Sequence, residues 1–189
     1  MSQNTDGDAI VSTGIIKRIE KELISMDKCR EEYILLSRKI IRACRSYTSR
    51  MINGGDIDMS EPLKMLDELR EMSYSGDGMA YQEIAEVLIL HNILKRKPLP
   101  DYEILRIPPE HYLGGLCDAS GELKRYITNL LLNENNEEAE FYYRIMSDIY
   151  YNIREIVLPD KIVNIKKKTD VMRILVENTG DIILKYRCR

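Results

Sequence analysis

The stretch Tyr112-Leu113-Gly114-Gly115-Leu116-Cys117-Asp118-Ala119-Ser120-Gly121-Glu122-Leu123-Lys124-Arg125 decides how the rest of the chain is read. Pro108 and Pro109 stand just before it, where a helix begins and proline's missing N–H is not needed. Leu113, Leu116, Leu123, Ile127, Leu130 and Leu131 then recur at helical spacing, which predicts a helix over 109–133. Gly114, Gly115 and Gly121 fall inside it, each at a cost of about 1 kcal/mol relative to alanine. A helix that keeps three glycines predicts a close backbone approach at that place. Asp118 and Glu122 are four residues apart, so both carboxylates share one face.

Working outward, the pattern is helical almost throughout. Ile16, Ile19, Leu23 and Met26, then Tyr33, Leu36, Ile40, Ile41 and Cys44, form a stripe at spacings of three and four. No Pro or Gly interrupts residues 15–53, so this segment is one very long helix or two with little punctuation between them. Asn53-Gly54-Gly55-Asp56 closes it with C-cap chemistry. Ser60-Glu61-Pro62 predicts a second helix with Ser60 as its N-cap. A third helix is expected from Met79 to Lys95, stopped by Pro98. A fifth is expected from Glu137 to Val157, capped by Asn135 or Asn136, and a last one over 170–187. Six or seven helices with short connections and no convincing strand predict an all-α bundle. Residues 1–10 read as a disordered polar tail and residues 11–189 as a single helical domain.

Composition narrows the function. Hydrophobic residues make up 44% of the 189-residue chain and charged residues 31%, as in soluble helical proteins with a substantial core. The net charge of −3 excludes a strongly basic nucleic-acid binder, so a polyanion site must be a local patch. Cys29, Cys44, Cys117 and Cys188 lack zinc-site spacing and read as reduced thiols of a cytoplasmic protein. There is no signal-peptide core and no membrane-spanning run of 18 or more apolar residues.

A second acidic pair, Glu83 and Glu86, lies three apart in the third helix, among Tyr81, Ile84, Ala85, Val87 and Leu88. Carboxylates in apolar surroundings need a cation or a shifted pKa. If the third and fourth helices face each other, four carboxylates converge, the oxygen ligand set that a hard divalent cation takes. Surface ion pairs with Lys95 or other cations are the alternative. His91 and His111 are the only histidines and neither follows a Glu by three, which argues against a di-iron bundle. No Gly-x-Ser-x-Gly elbow supports a serine hydrolase. Arg38, Arg42 and Arg45 form a basic strip along the first helix; with Lys124 and Arg125 they are candidates for phosphate contacts.

The segment Tyr81-Gln82-Glu83-Ile84-Ala85-Glu86, followed by residues 112–123 as quoted above, resembles the translin/Trax family, as does Leu36-Ser37-Arg38. The likeness runs from about residue 28 into the last helix. It implies an all-α, seven-helix protein that assembles into a hollow octamer and binds single-stranded nucleic acid. The Gln-Glu-x-x-Glu and Asp-x-x-x-Glu motifs are both present, which resembles the Trax type. That type is a Mg²⁺-dependent endoribonuclease, so the resemblance carries catalytic and metal-holding roles onto Glu83, Glu86, Asp118 and Glu122. The expected cofactor is Mg²⁺, with Mn²⁺ as the alternative. The chain is shorter than the larger members, with no long insertion before the central helix and no long basic leader, which favours a self-assembling, prokaryote-like homo-octamer. The expected partner is single-stranded RNA, with single-stranded DNA as a further ligand and no membrane. The rival readings are a non-catalytic nucleic-acid-binding shell and an interaction scaffold whose arginine faces pair with acidic neighbours.

Overall fold

The computed structural model describes residues 13–74, 76–157, 159 and 165–187. Within them lie six helices and no strand: α1 (Thr13–Ile52), α2 (Ser60–Arg70), α3 (Met79–Leu94), α4 (Pro109–Leu132), α5 (Asn136–Ile153) and α6 (Ile165–Arg187). Residues 1–12, which include the expected polar tail, lie outside the described residues, as do Cys188 and Arg189. No described helix is long and apolar enough to cross a membrane.

The organising element is α3. Ala80, Ile84, Ala85, Val87, Leu88, Ile89, Leu90 and Ile93 are buried around its whole circumference, and a helix apolar on all sides belongs inside a bundle. It packs against α1, α2 and α4, while α4 in turn packs against α1, α5 and α6. The segment that the sequence leaves as one helix or two is a single helix of 40 residues, and the described residues hold six helices where the family resemblance implied seven. The C-terminal half of α1 contributes Tyr33, Ile40, Cys44, Tyr47, Met51 and Ile52 to the core. Gly54, at φ 79°, turns the chain out of α1, and the Gly55 N–H bonds back to the Arg50 carbonyl at 2.9 Å.

The N-terminal half of α1 behaves differently. Ile16, Ile19, Leu23 and Met26 are 47–63% exposed, with Ile15 and Ile24 beside them. The stripe seen in the sequence is real, but among the described residues nothing buries these side chains. α5 carries four tyrosines but little exposed aromatic surface. Tyr142 and Tyr150 point into the core, Tyr143 lies against Gly180, and only Tyr151 is exposed.

Several element boundaries moved for local reasons. Ser60 is the first residue of α2 rather than its cap; the Asp58 carboxylate accepts the Ser60 N–H at 2.9 Å instead. Asn135 precedes α5 but its side chain makes no capping bond. α5 stops at Ile153, its last buried residue, and Val157 beyond it is 92% exposed. α6 begins at Ile165, five residues earlier than the periodicity suggested, because buried Ile165 anchors a first turn in which lysine is a good helix former.

Two of the three α4 glycines meet the expectation of close approach. A Cβ on Gly115 would lie 2.7 Å from the Gln82 carbonyl oxygen and 2.8 Å from the Glu86 nitrogen, both backbone atoms of α3. One on Gly114 would collide with the Gln82 side chain. Gly121 is different: a Cβ there would meet only Leu175 Cδ1 at 4.0 Å. Gly115→Ala is therefore expected to destabilise by about 1–3 kcal/mol, because α3 and α4 must separate. Gly121→Ala is expected to be neutral or to stabilise by up to about 1 kcal/mol. Paired urea melts check this; equal effects at the two positions would refute the close crossing.

Candidate functional site: a carboxylate cleft between α3 and α4

The tight crossing at Gly115 sets the two acidic pairs side by side. Glu83 and Glu86 from α3 and Asp118 and Glu122 from α4 line one cleft of about 470 Å³, closed by Arg45 and Thr48 of α1 and by Arg125. Lys95, the alternative partner for the α3 glutamates, pairs instead with Asp56 at 2.9 Å.

Each carboxylate has its own surroundings. Asp118 is held at both oxygens: the Gln82 amide donates to Oδ2 at 2.6 Å, and the Lys168 ammonium donates to Oδ1 at 2.6 Å. Lys168 reaches there from the first turns of α6 and also lies 3.5 Å from the Gly114 carbonyl oxygen. Glu122 accepts a bond from Arg125 Nη1 at 2.7 Å. Burial pushes Glu83 above the usual carboxylate range; Arg45 opposes this, while Asp118 and Glu122 add to it. Glu86 is pushed up to about 8, first by burial and then by Glu83, Asp118 and Glu122. Burial, with Glu83 and Glu86 adding to it, pushes the Cys44 thiol up to about 12, and burial pushes Cys117 to about 11. Both stay neutral thiols at physiological pH.

The donor set is all oxygen, in a cleft with room for water, and so fits a hard divalent cation by its chemistry. As the side chains stand, no three His, Cys, Asp or Glu groups among the described residues are drawn together to hold one. The positive charge balancing the cluster comes from Lys168, Arg45 and Arg125.

The expected phosphate-contacting residues divide. Arg45 and Arg125 line the carboxylate cleft. Arg125 also borders a neighbouring cavity of about 490 Å³, which Lys124 lines with Thr128 and Asn129. Arg38 and Arg42 are exposed on α1 outside both cavities. Sequence reasoning missed Lys168, because a Lys166-Lys167-Lys168 run reads as a solvated lead-in and gives no sign that its last member crosses to α4. Gln82 stood inside a quoted motif without a role; its bond to Asp118 supplies one.

The sequence model of the Translin family matches residues 68–189. The chain belongs to the Translin family. Both acidic pairs lie within the matched span. A Methanocaldococcus jannaschii protein described as uncharacterized is 30% identical over 173 residues, covering 85% of this chain and 78% of that one. Among solved structures, AfC3PO in complex with duplex RNA matches with a TM-score of 0.76 and 25% identity, over 92% of this chain and 96% of that chain. Apo-NeC3PO matches with the same TM-score at 19% identity, over 98% and 100% of the two chains, a likeness of fold.

The raised Glu86 carboxyl makes stability depend on pH in a defined direction. Its folded pKa of about 8 exceeds the ordinary 4.5, so the folded protein holds a proton that the unfolded chain releases. The resulting contribution is complete below pH 4.5 and is lost as pH rises through about 8. In EDTA, Glu86→Gln is expected to melt progressively higher relative to the parent between pH 5 and pH 8, by on the order of 5 °C at the upper end. A difference that does not change with pH would show that Glu86 ionises freely in the fold.

Proposed function

We propose that this Translin-family chain is a Mg²⁺-dependent endoribonuclease that cuts single-stranded RNA at the α3–α4 carboxylate cleft. The observation that carries the reading is the meeting of two acidic pairs, from separate helices, in one partly buried cleft with arginines at its wall. Glu83, Glu86, Asp118 and Glu122 would hold the ion, with Mn²⁺ able to replace Mg²⁺. When bound, such an ion polarises the phosphoryl group and lowers the pKa of a water. The chain's own residues do the rest. Gln82 fixes the Asp118 carboxylate, and Arg45 and Arg125 present guanidinium donors to phosphate oxygens. Lys124, Arg38 and Arg42 extend positive charge away from the cleft along the path of a longer strand. AfC3PO's complex with duplex RNA supports RNA as the polymer; the preference for single strands, including DNA, follows the family resemblance. We also infer a cytoplasmic homo-octamer. The exposed apolar residues of α1, Ile15, Ile16, Ile19, Leu23, Ile24 and Met26, support assembly, since clustered exposed apolar side chains mark interaction surfaces.

One observation favours a second reading, a non-catalytic nucleic-acid-binding assembly. Asp118 already has a cationic partner in Lys168, so the cluster can persist without metal.

Labelled single-stranded and duplex RNA, incubated with the protein in Mg²⁺ or EDTA, separate the two. Glu83→Gln and Asp118→Asn are each expected to slow cleavage roughly 100-fold or more, while affinity in EDTA holds level or rises as like-charge repulsion of phosphate falls. Near-parent cleavage by both variants would leave only the binding reading. Light scattering of the same preparation should report an octamer; a monomer at micromolar concentration would contradict the assembly.

A further inference from the structure

Lys168 makes a strong contact in the cleft from outside both motifs and from a third helix, α6. Its ammonium sits 2.6 Å from Asp118 Oδ1, and both side chains are partly shielded, at 29% and 37% exposure. Its charge also reaches Glu83 and Glu86, drawing both carboxyls down against their burial. It is thus a cation acting on three of the four acids, not a partner of Asp118 alone.

Orientation does not require it. The neutral Gln82 amide already fixes Asp118 through the other oxygen at 2.6 Å. What Lys168 adds is charge.

We propose that Lys168 is the resident counter-cation of the carboxylate cleft, pairing with Asp118 in the metal-free protein and leaving it when a divalent cation takes over that charge. The proposal rests on the reading of the cleft as a metal site. A divalent ion on Asp118 would share that carboxylate with the ammonium, and like charges held so close repel strongly in a sheltered site. The side chain has somewhere to go. A third cavity, of about 320 Å³, borders Asp118 and Lys168; Lys167 also lines it, and Cys117, Val171 and Met172 form its apolar wall. An apolar wall accepts a lysine stem while the ammonium turns to water.

The alternative role has the opposite sign. A group that orients a metal ligand from behind strengthens the site, and its removal weakens metal affinity by about 10–100-fold. A displaced competitor weakens the site, and its removal strengthens it. Mn²⁺ binding to the full chain without RNA, followed by electron paramagnetic resonance, therefore decides between them. Lys168→Met and Lys168→Gln, the latter keeping a donor for Asp118, should each bind Mn²⁺ about tenfold more tightly than the parent, the reverse of the fall expected on removing an orienting group. Lys168→Arg should stay near the parent. In EDTA the two neutral variants should melt lower than the parent, and Mn²⁺ should raise their Tm by more. Equal or weaker Mn²⁺ binding by the neutral variants overturns the proposal, as does failure of both to fold even in Mn²⁺. If folded parent and variants all bind no Mn²⁺, the metal reading of the cleft fails first and takes this proposal with it.

Discussion

The contact on which the site depends is the absence of two side chains. At Gly115 the backbone of α4 comes so near that of α3 that a single added carbon would fall 2.7–2.8 Å from main-chain atoms of Gln82 and Glu86. Real carbon atoms do not tolerate that distance, and backbone cannot rotate aside as a flexible side chain can. The crossing fixes how close the acidic faces of the two helices stand. It also costs α4 the helix propensity of alanine at two adjacent positions, roughly 2 kcal/mol in all. α3 offsets that cost by burying apolar side chains on every side.

From that closeness the electrostatics follow. Four carboxyl groups brought into one partly buried cleft cannot all ionise without compensation. The protein answers in three ways at once: Glu86 keeps its proton up to about pH 8, Arg45 and Arg125 stand at the wall, and Lys168 reaches across from α6. Each is a place where positive charge already compensates the cluster, and a divalent ion supplies the same charge in a smaller volume. The C-terminal helix is thereby tied to the site, although it carries none of the four acids.

Much of this was legible in the sequence, and the reasons differ by residue. The helices could be read because their apolar spacing is strong. The Gly114-Gly115 approach could be read because glycine inside a helix is costly enough to need a cause. Pairing within a helix followed from spacing alone, and convergence between α3 and α4 was a reasonable extension of it. The same glycine argument failed at Gly121, where the structure leaves space, because propensity says nothing of what lies opposite. The α1 overhang was visible as a stripe, but a stripe does not say whether its own chain covers it. Lys168 could not be found at all. Contact between α6 and α4 is tertiary, and a lysine after two lysines looks like any solvated run. Arg38, Arg42 and Arg45 share a helix face by spacing, yet the cleft reaches only Arg45, since it spans about one turn of α1.

We propose that the two acidic pairs act as one cation site, assembled by the glycine crossing. Crystals of the protein soaked in Mn²⁺ test it most directly, through the anomalous scattering of the metal. A shared site gives an anomalous peak between α3 and α4, within bonding distance of carboxylate oxygens from both helices. No peak at saturating Mn²⁺, or one touching the acids of a single helix only, would contradict it.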